Sequence, residues 1–245
     1  MEFKSELYKF LNLIKEGRNF ALVRLSDGEN YILNGTYSEI EEWGINKDWS
    51  WKRDESHLRA REQLLNASLC DEENFYIGLP THGGKMFFDK LKNYTKQREE
   101  YLTYACLFMD SNYKYFDTDM YLEFQKHEVI GVFHEKASLV NLGLNVIKLF
   151  SVGHAAYVNH LHIIDEMKKY IIENKIKNKL FLIAAGPFSN VLIYELFKLE
   201  KDNTYIDIGS ALDNRLGFGI TRAFLDYKNP KNTHPCINQY HEWYG

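Results

Sequence analysis

Phe20-Ala21-Leu22-Val23-Arg24-Leu25-Ser26-Asp27-Gly28-Glu29 opens on an apolar run and closes on one guanidinium and two carboxylates. The apolar part reads as a buried strand, and the polar remainder as the sharp turn at its carboxyl end. Asp27 and Glu29 are two positions apart, so an extended segment sends both side chains off one face. A helix would splay them by about 200°. Gly28 permits a tight turn between them. Two converging carboxylates beside Arg24 suit a divalent cation and the phosphates it carries. Ligands of open α/β sheets bind at the carboxyl ends of strands, which makes this turn a candidate metal–diphosphate site. Taken alone, the tripeptide also fits a solvated Asp-Gly turn with no ligand.

Outward from this stretch, apolar runs recur at Phe75–Leu79, Leu102–Phe108, Val129–Phe133, Val146–Phe150, Leu180–Ala184 and Tyr205–Ile208, and the first run spans Asn19–Arg24. Helical spacing occupies His57–Leu69, Gly84–Tyr94, Tyr113–His127, Tyr157–Glu173 and Ser189–Leu199. An amphipathic helix precedes them all, with Phe3, Leu7, Phe10, Leu11 and Ile14 on one face and Gly17 at its end. Short apolar strands alternating with helices predict an α/β fold: a Rossmann-like, mostly parallel sheet with helices on both faces. No linker divides residues 1–245, so the expectation is a single domain with an irregular tail from about residue 216.

The chain has 245 residues, 45% of them apolar and 26% charged, as in ordinary soluble proteins. The net charge of −4 and the absence of a basic stripe argue against nucleic acid as a partner. Cys70, Cys106 and Cys236 are widely spaced and form neither a metal pair nor a disulfide framework, which fits a reducing compartment. Charges at Glu2, Lys4, Glu6, Lys9 and Lys15 interrupt any signal-peptide core. No stretch reaches the ~18 apolar residues of a spanning helix. The expectation is a cytoplasmic protein with no integral membrane segment, peripheral membrane association remaining open.

A second constellation lies in Leu180-Phe181-Leu182-Ile183-Ala184-Ala185-Gly186-Pro187-Phe188-Ser189-Asn190: a buried strand, a glycine turn and a helix start. Ser189 is the expected N-cap, and Gly186, Pro187, Ser189 and Asn190 would present the helix N-terminus to a phosphate. Asp207, in Tyr205-Ile206-Asp207-Ile208-Gly209, falls about 20 residues further on, where nucleotide-binding βαβ units place a ribose-binding carboxylate. The G-x-G-x-x-G fingerprint is missing, which disfavours NAD and FAD. A packing turn with no ligand is the competing reading of this segment.

Together, Arg24 with Asp27-Gly28-Glu29, then Leu182-Ile183-Ala184-Ala185-Gly186-Pro187, Val191-Leu192 and Ile206-Asp207-Ile208-Gly209 resemble the GT-D-fold glycosyltransferases in order and approximate spacing. The resemblance runs through most of residues 5–215. It implies a metal-dependent glycosyltransferase of hexosyl type, taking a nucleotide-sugar donor, typically a UDP-sugar, and serving a glycan or glycoprotein acceptor. The family's Asp-x-Glu motif carries over to Asp27 and Glu29 as holders of Mn²⁺ or Mg²⁺. Arg24 joins them as a catalytic candidate, and Gly186, Pro187, Ser189, Asn190, Asp207 and Gly209 form the nucleotide side. Ser26 stands where the family usually has Gly, and Phe188 where it often has Thr, with Ser189 as the substitute hydroxyl. Ser210-Ala211-Leu212-Asp213 departs from the family's usual run.

For the acceptor side, Asp213, His154 and His82 are candidates as contact or base, with Glu39 a further base candidate. His160 and His162 are expected on one helix facing apart, and are not read as a metal pair. Trp43, Trp49 and Trp51 fit either sugar stacking or packing. Two other functions remain compatible with the same residues. One is a metal-dependent hydrolase of nucleotides or sugar phosphates; the other is a non-catalytic nucleotide- or carbohydrate-binding domain.

Overall fold

A computed structural model describes residues 3–35, 54–80 and 85–229. His82, Glu39, the three tryptophans Trp43, Trp49 and Trp51, and Cys236 lie outside the described residues. Every run expected to be a strand is one: β1 (Ala21–Arg24), β2 (Phe75–Leu79), β3 (Leu102–Tyr104), β4 (Glu128–His134), β5 (Asn145–Val152), β6 (Leu180–Ile183) and β7 (Thr204–Asp207). They form a 7-stranded sheet in the order β3-β2-β1-β7-β6-β4-β5, parallel throughout. The helices are α1 (Phe3–Lys15), α2 (Asp27–Asn34), α3 (Glu55–Ser68) and α4 (Lys85–Lys92). Next come α5, built from Tyr113–Tyr115, a π segment Phe116–Met120 and Tyr121–Phe124, and then α6 (Ala156–Asn159), α7 (His162–Glu173) and α8 (Pro187–Leu199).

The inner strands β1, β2, β6 and β7 are buried along nearly their whole length because both faces are covered, whereas the edge strand β5 is half exposed. Successive side chains alternate between two cores. Ala21 and Val23 of β1, Phe75 and Ile77 of β2 and Phe181 and Ile183 of β6 face α2, α3, α6, α7 and α8, against Ile32, Leu64, Tyr157, Met167 and Leu192. Leu22, Tyr76, Leu182 and Ile206 face the other way, onto Phe10 and Leu7 of α1 and Phe116, Met120 and Phe124 of α5. Phe10, Phe116, Phe124 and Phe181 are fully buried, each side chain contributing roughly 1.5–3 kcal/mol of transfer free energy.

Steps one way along the sheet, β1 to β2 to β3 and β5 to β6 to β7, cross on the α3/α8 face. Steps the other way, β3 to β4 and β4 to β5, cross on the α1/α5 face. One crossover hand produces this segregation. It also makes a crevice between β1 and β7. After β1 the chain turns into α2 on one face, and after β7 it turns through Ile208, Ala211 and Leu212 onto the other. Such a switch point is where ligands of open α/β sheets bind.

Three local expectations are corrected. Asp27-Gly28-Glu29 is not an extended turn but the first turn of α2, because Ser26 and Glu29 form a capping box that starts a helix there. The expected helix Tyr157–Glu173 is two helices, broken at His160 and Leu161 between α6 and α7. β3 ends at Tyr104 rather than Phe108, since the chain turns at Ala105–Phe108 and buries Leu107 and Phe108 under the sheet. Within the stretch after residue 216, a 3-10 turn at Ala223–Asp226 packs Phe224 against Tyr113. No helix among the described residues is long and apolar enough to cross a membrane.

Candidate functional site

Arg24 is the last residue of β1, and its side chain runs across the crevice to the end of β7. Its Nε and Nη2 donate to the two carboxylate oxygens of Asp207, at 3.2 and 3.3 Å, and its Nη1 donates to the Ala105 carbonyl at 3.1 Å. The bidentate fork joins the ends of β1 and β7 to the turn after β3. Gly78 lets that turn approach, because a Cβ there would meet the backbone of Tyr104 and Ala105 at 3.0 Å. Gly209 makes room for the guanidinium itself: its φ is +51°, and a Cβ would sit 1.9 Å from Arg24 Nη2. The Gly209 N–H also donates to Asp207 at 3.1 Å.

Asp207 is almost fully buried. Burial pushes its carboxyl up, opposed by Arg24, the Gly209 N–H and the Ser189 hydroxyl. The carboxylate expected to meet a ribose is thus already engaged by protein donors from β1, α8 and its own turn. Ser189 is not the N-cap of α8: Gly186 holds that place, with Pro187 at the first helical position, where a missing N–H costs nothing. Ser189 sits one turn in, fully buried, its Oγ accepting from the Ala185 N–H at 3.0 Å.

Glu29 and Asp27 part company. Asp27 is exposed, one oxygen accepting from the Gly28 N–H at 3.0 Å. Glu29 is 7% exposed and turns inward, its Oε2 accepting from the Ser26 N–H at 2.9 Å. Its Oε1 faces Asn190 Nδ2 at 3.5 Å. Burial, with the nearby Asp207 charge adding to it, pushes the Glu29 carboxyl up to about 7, although the Ser26 N–H pulls the other way. Asn190, fully buried, completes the link: its Oδ1 accepts from the Arg24 N–H at 3.1 Å. The first turns of α2 and α8 are therefore pinned to one another at the crevice, and both helices present their positive ends there.

As a metal site, the pair does not fit a shared two-carboxylate clamp, because Glu29 has its oxygens on Ser26 and Asn190. Asp27, a single exposed carboxylate, is of the ligand type a hard cation takes. Among the described residues no three His, Cys, Asp or Glu side chains are grouped to hold a metal.

Of the acceptor-side candidates, His154 and Asp213 are among the described residues. His154 is exposed after β5, its carbonyl accepting from Asn159 Nδ2 at 3.1 Å. Asp213, after β7, is half-buried and accepts from the Thr221 hydroxyl. His160 and His162 do not face apart: the helix break brings their rings to 5.6 Å, and His160 Nε2 accepts from the Gly153 N–H at 3.1 Å.

Sequence reasoning missed the capping box, although Ser-x-x-Glu at 26–29 is its signature. It also missed the pair at the start of α3, where Asp54 accepts from the His57 N–H at 3.0 Å and contacts its Nδ1 at 2.7 Å. The His57 ring packs edge-on against Tyr157.

No family model and no curated protein matches the chain. Three solved structures do. One is described as a new glycosyltransferase (DUF1792) from Streptococcus sanguinis, with TM-score 0.60 and 16% identity over 97% of this chain and 96% of that one. A second, described as the highly conserved domain of unknown function 1792 with a distinct glycosyltransferase fold, gives TM-score 0.58 and 15% identity over 97% and 88%. A selenomethionine structure of domain 1792 gives TM-score 0.57 and 16% identity over 97% and 92%. With a parallel seven-stranded sheet covered on both faces and this likeness along nearly its whole length, the chain has the glycosyltransferase fold of the DUF1792 proteins.

Proposed function

We propose that the protein is a glycosyltransferase that takes a nucleotide-sugar donor, a UDP-sugar, in the β1/β7 crevice and passes the sugar to a glycan or glycoprotein acceptor. The observation that carries this reading is the meeting of two helix N-termini, α2 and α8, at the switch point of the sheet beside an exposed carboxylate, Asp27. Paired helix N-termini suit a diphosphate, whose charge builds as the glycosidic bond to the sugar breaks. The likeness to a structure described as a glycosyltransferase supports the same assignment.

In this reading, the positive ends of α2 and α8 attract the diphosphate, and Asp27 anchors Mn²⁺ or Mg²⁺. When bound, the cation neutralises charge on the departing diphosphate. Arg24 and Asp207 form the crevice floor: their bidentate pairing fixes the ends of β1 and β7 and leaves the diphosphate to helix N-termini and the cation. The acceptor side is assigned to the loops after β5 and β7, which carry His154 and Asp213.

The test is thermal stability with a panel of nucleotides, each with and without Mn²⁺, followed by product analysis with the nucleotide sugars that bind. A metal-dependent shift specific to UDP, and sugar transferred to an added acceptor, is the expected result. Sugar released to water at one rate with or without acceptor would identify a hydrolase instead. Binding without any turnover would identify a non-catalytic domain.

A further inference from the structure

Resting on that assignment of the crevice, we propose that Asp27 alone of the two motif carboxylates meets the donor complex, and that Glu29 and Asn190 are positioning residues that hold Asp27 and the two helix N-termini in register.

A buried carboxylate and a buried amide persist only where their hydrogen-bonding atoms are matched. Glu29 Oε2 takes the Ser26 N–H, and its Oε1 takes Asn190 Nδ2. Asn190 Oδ1 takes the Arg24 N–H. The chain Ser26–Glu29–Asn190–Arg24 thus closes on itself within one strand end and two helix starts, bridging 161 positions of sequence between Glu29 and Asn190. A helix places residues two apart on divergent faces, so a Glu29 turned into this chain leaves Asp27 pointing out. The exposures agree: Asp27 is exposed, Glu29 is 7% exposed and Asn190 is fully buried. For Glu29 to reach a cation shared with Asp27, the capping box would have to open and Asn190 lose its acceptor.

The hydrogen-bond polarity supplies a test. Glu29→Gln alone mismatches the chain: the new side chain's oxygen must still accept from Ser26, which turns its NH2 group toward the NH2 of Asn190. Adding Asn190→Asp restores the match, since a carboxylate on α8 can accept both from the Arg24 N–H and from the amide introduced on α2. The double variant Glu29→Gln/Asn190→Asp moves the carboxylate from α2 to α8 while keeping every link.

Titration calorimetry of UDP in the presence and absence of Mn²⁺, with denaturation of the ligand-free variants, reads both halves of the idea. Asp27→Asn is expected to lose metal-dependent UDP binding while keeping its ligand-free stability. Glu29→Ala and Asn190→Ala are expected to weaken both binding and ligand-free stability, non-additively in combination. The double swap is expected to recover both. Loss of metal-dependent binding in a double swap as stable as wild type would overturn the inference, because it would make Glu29 itself a ligand. Additive losses of stability for Glu29→Ala and Asn190→Ala would overturn it as well. If wild type binds no nucleotide with metal, the donor assignment fails, and the stability cycle still decides whether the two residues are linked.

Discussion

Glu29 gives the sharpest stability prediction, because burial moves its carboxyl from the ordinary 4.5 to about 7. The folded state therefore holds this proton where the unfolded chain has released it. With the folded pKa above the unfolded one, stability from this group is fully present below about pH 4.5 and is lost as the pH rises toward 7. At ~1.36 kcal/mol for each pH unit the interval corresponds to about 3 kcal/mol, with Asp207 repulsion included in that figure. For a domain of this size that is about 6–12 °C of melting temperature. The assay is urea denaturation in chelator at a series of pH values from about 4.5 to about 8.5, spanning both pKa values, for wild type and Glu29→Gln. Glutamine cannot ionise, so the variant should lack this component of the slope, and the two curves should converge or cross toward high pH. The hydrogen-bond mismatch of glutamine with Asn190 displaces its whole curve without tilting it, so the slope is the quantity to compare. Parallel curves for the two proteins would refute the reasoning, because they would mean that Glu29 titrates alike in the folded and unfolded chains.

Two further substitutions test the crevice floor. Gly209→Ala places a Cβ 1.9 Å from Arg24 Nη2 in a left-handed backbone, so it should displace the guanidinium and destabilise by about 2 kcal/mol or more in chemical denaturation; a change within about 0.5 kcal/mol would contradict the packing described. Arg24→Met leaves Asp207 buried without its cation and should cost about 3–5 kcal/mol, part of it recovered in Arg24→Met/Asp207→Leu, which removes the unpaired carboxylate but also the acceptor of the Gly209 N–H; a double variant less stable than the single one would contradict a bidentate pair.

The inner strands were legible because burial on both faces writes a continuous apolar run into them, as in Phe75–Leu79, whose limits are the same in sequence and structure. That the candidate residues Arg24, Asp27, Glu29 and Asp207 come near one another was legible for a related reason: polar residues that follow such a run gather at the carboxyl edge of the sheet. The geometry within the site was not. Asp-Gly carries a strong local turn signal, yet the capping box and the burial of Ile32 and Leu33 draw the segment into α2. Arg24 and Asp207 meet across 183 positions of sequence, a pairing set by the adjacency of β1 and β7 and by no local pattern. The inward turn of Glu29 depends on Asn190, whose spacing from it has no local periodicity. The break at His160 and Leu161 has neither proline nor glycine to announce it; Ala155 starts α6 from a left-handed conformation, and the His160 ring is drawn to the Gly153 N–H.

The central claim is that the crevice between β1 and β7 receives a nucleotide diphosphate with a divalent cation. Amide hydrogen exchange, resolved to peptides and followed with and without UDP and Mn²⁺, tests it most directly. The account predicts metal-dependent protection concentrated in Ser26–Asn30 and Gly186–Asn190, lost in Asp27→Asn. Protection elsewhere on the sheet, or protection at these segments that Asp27→Asn leaves intact, would contradict it.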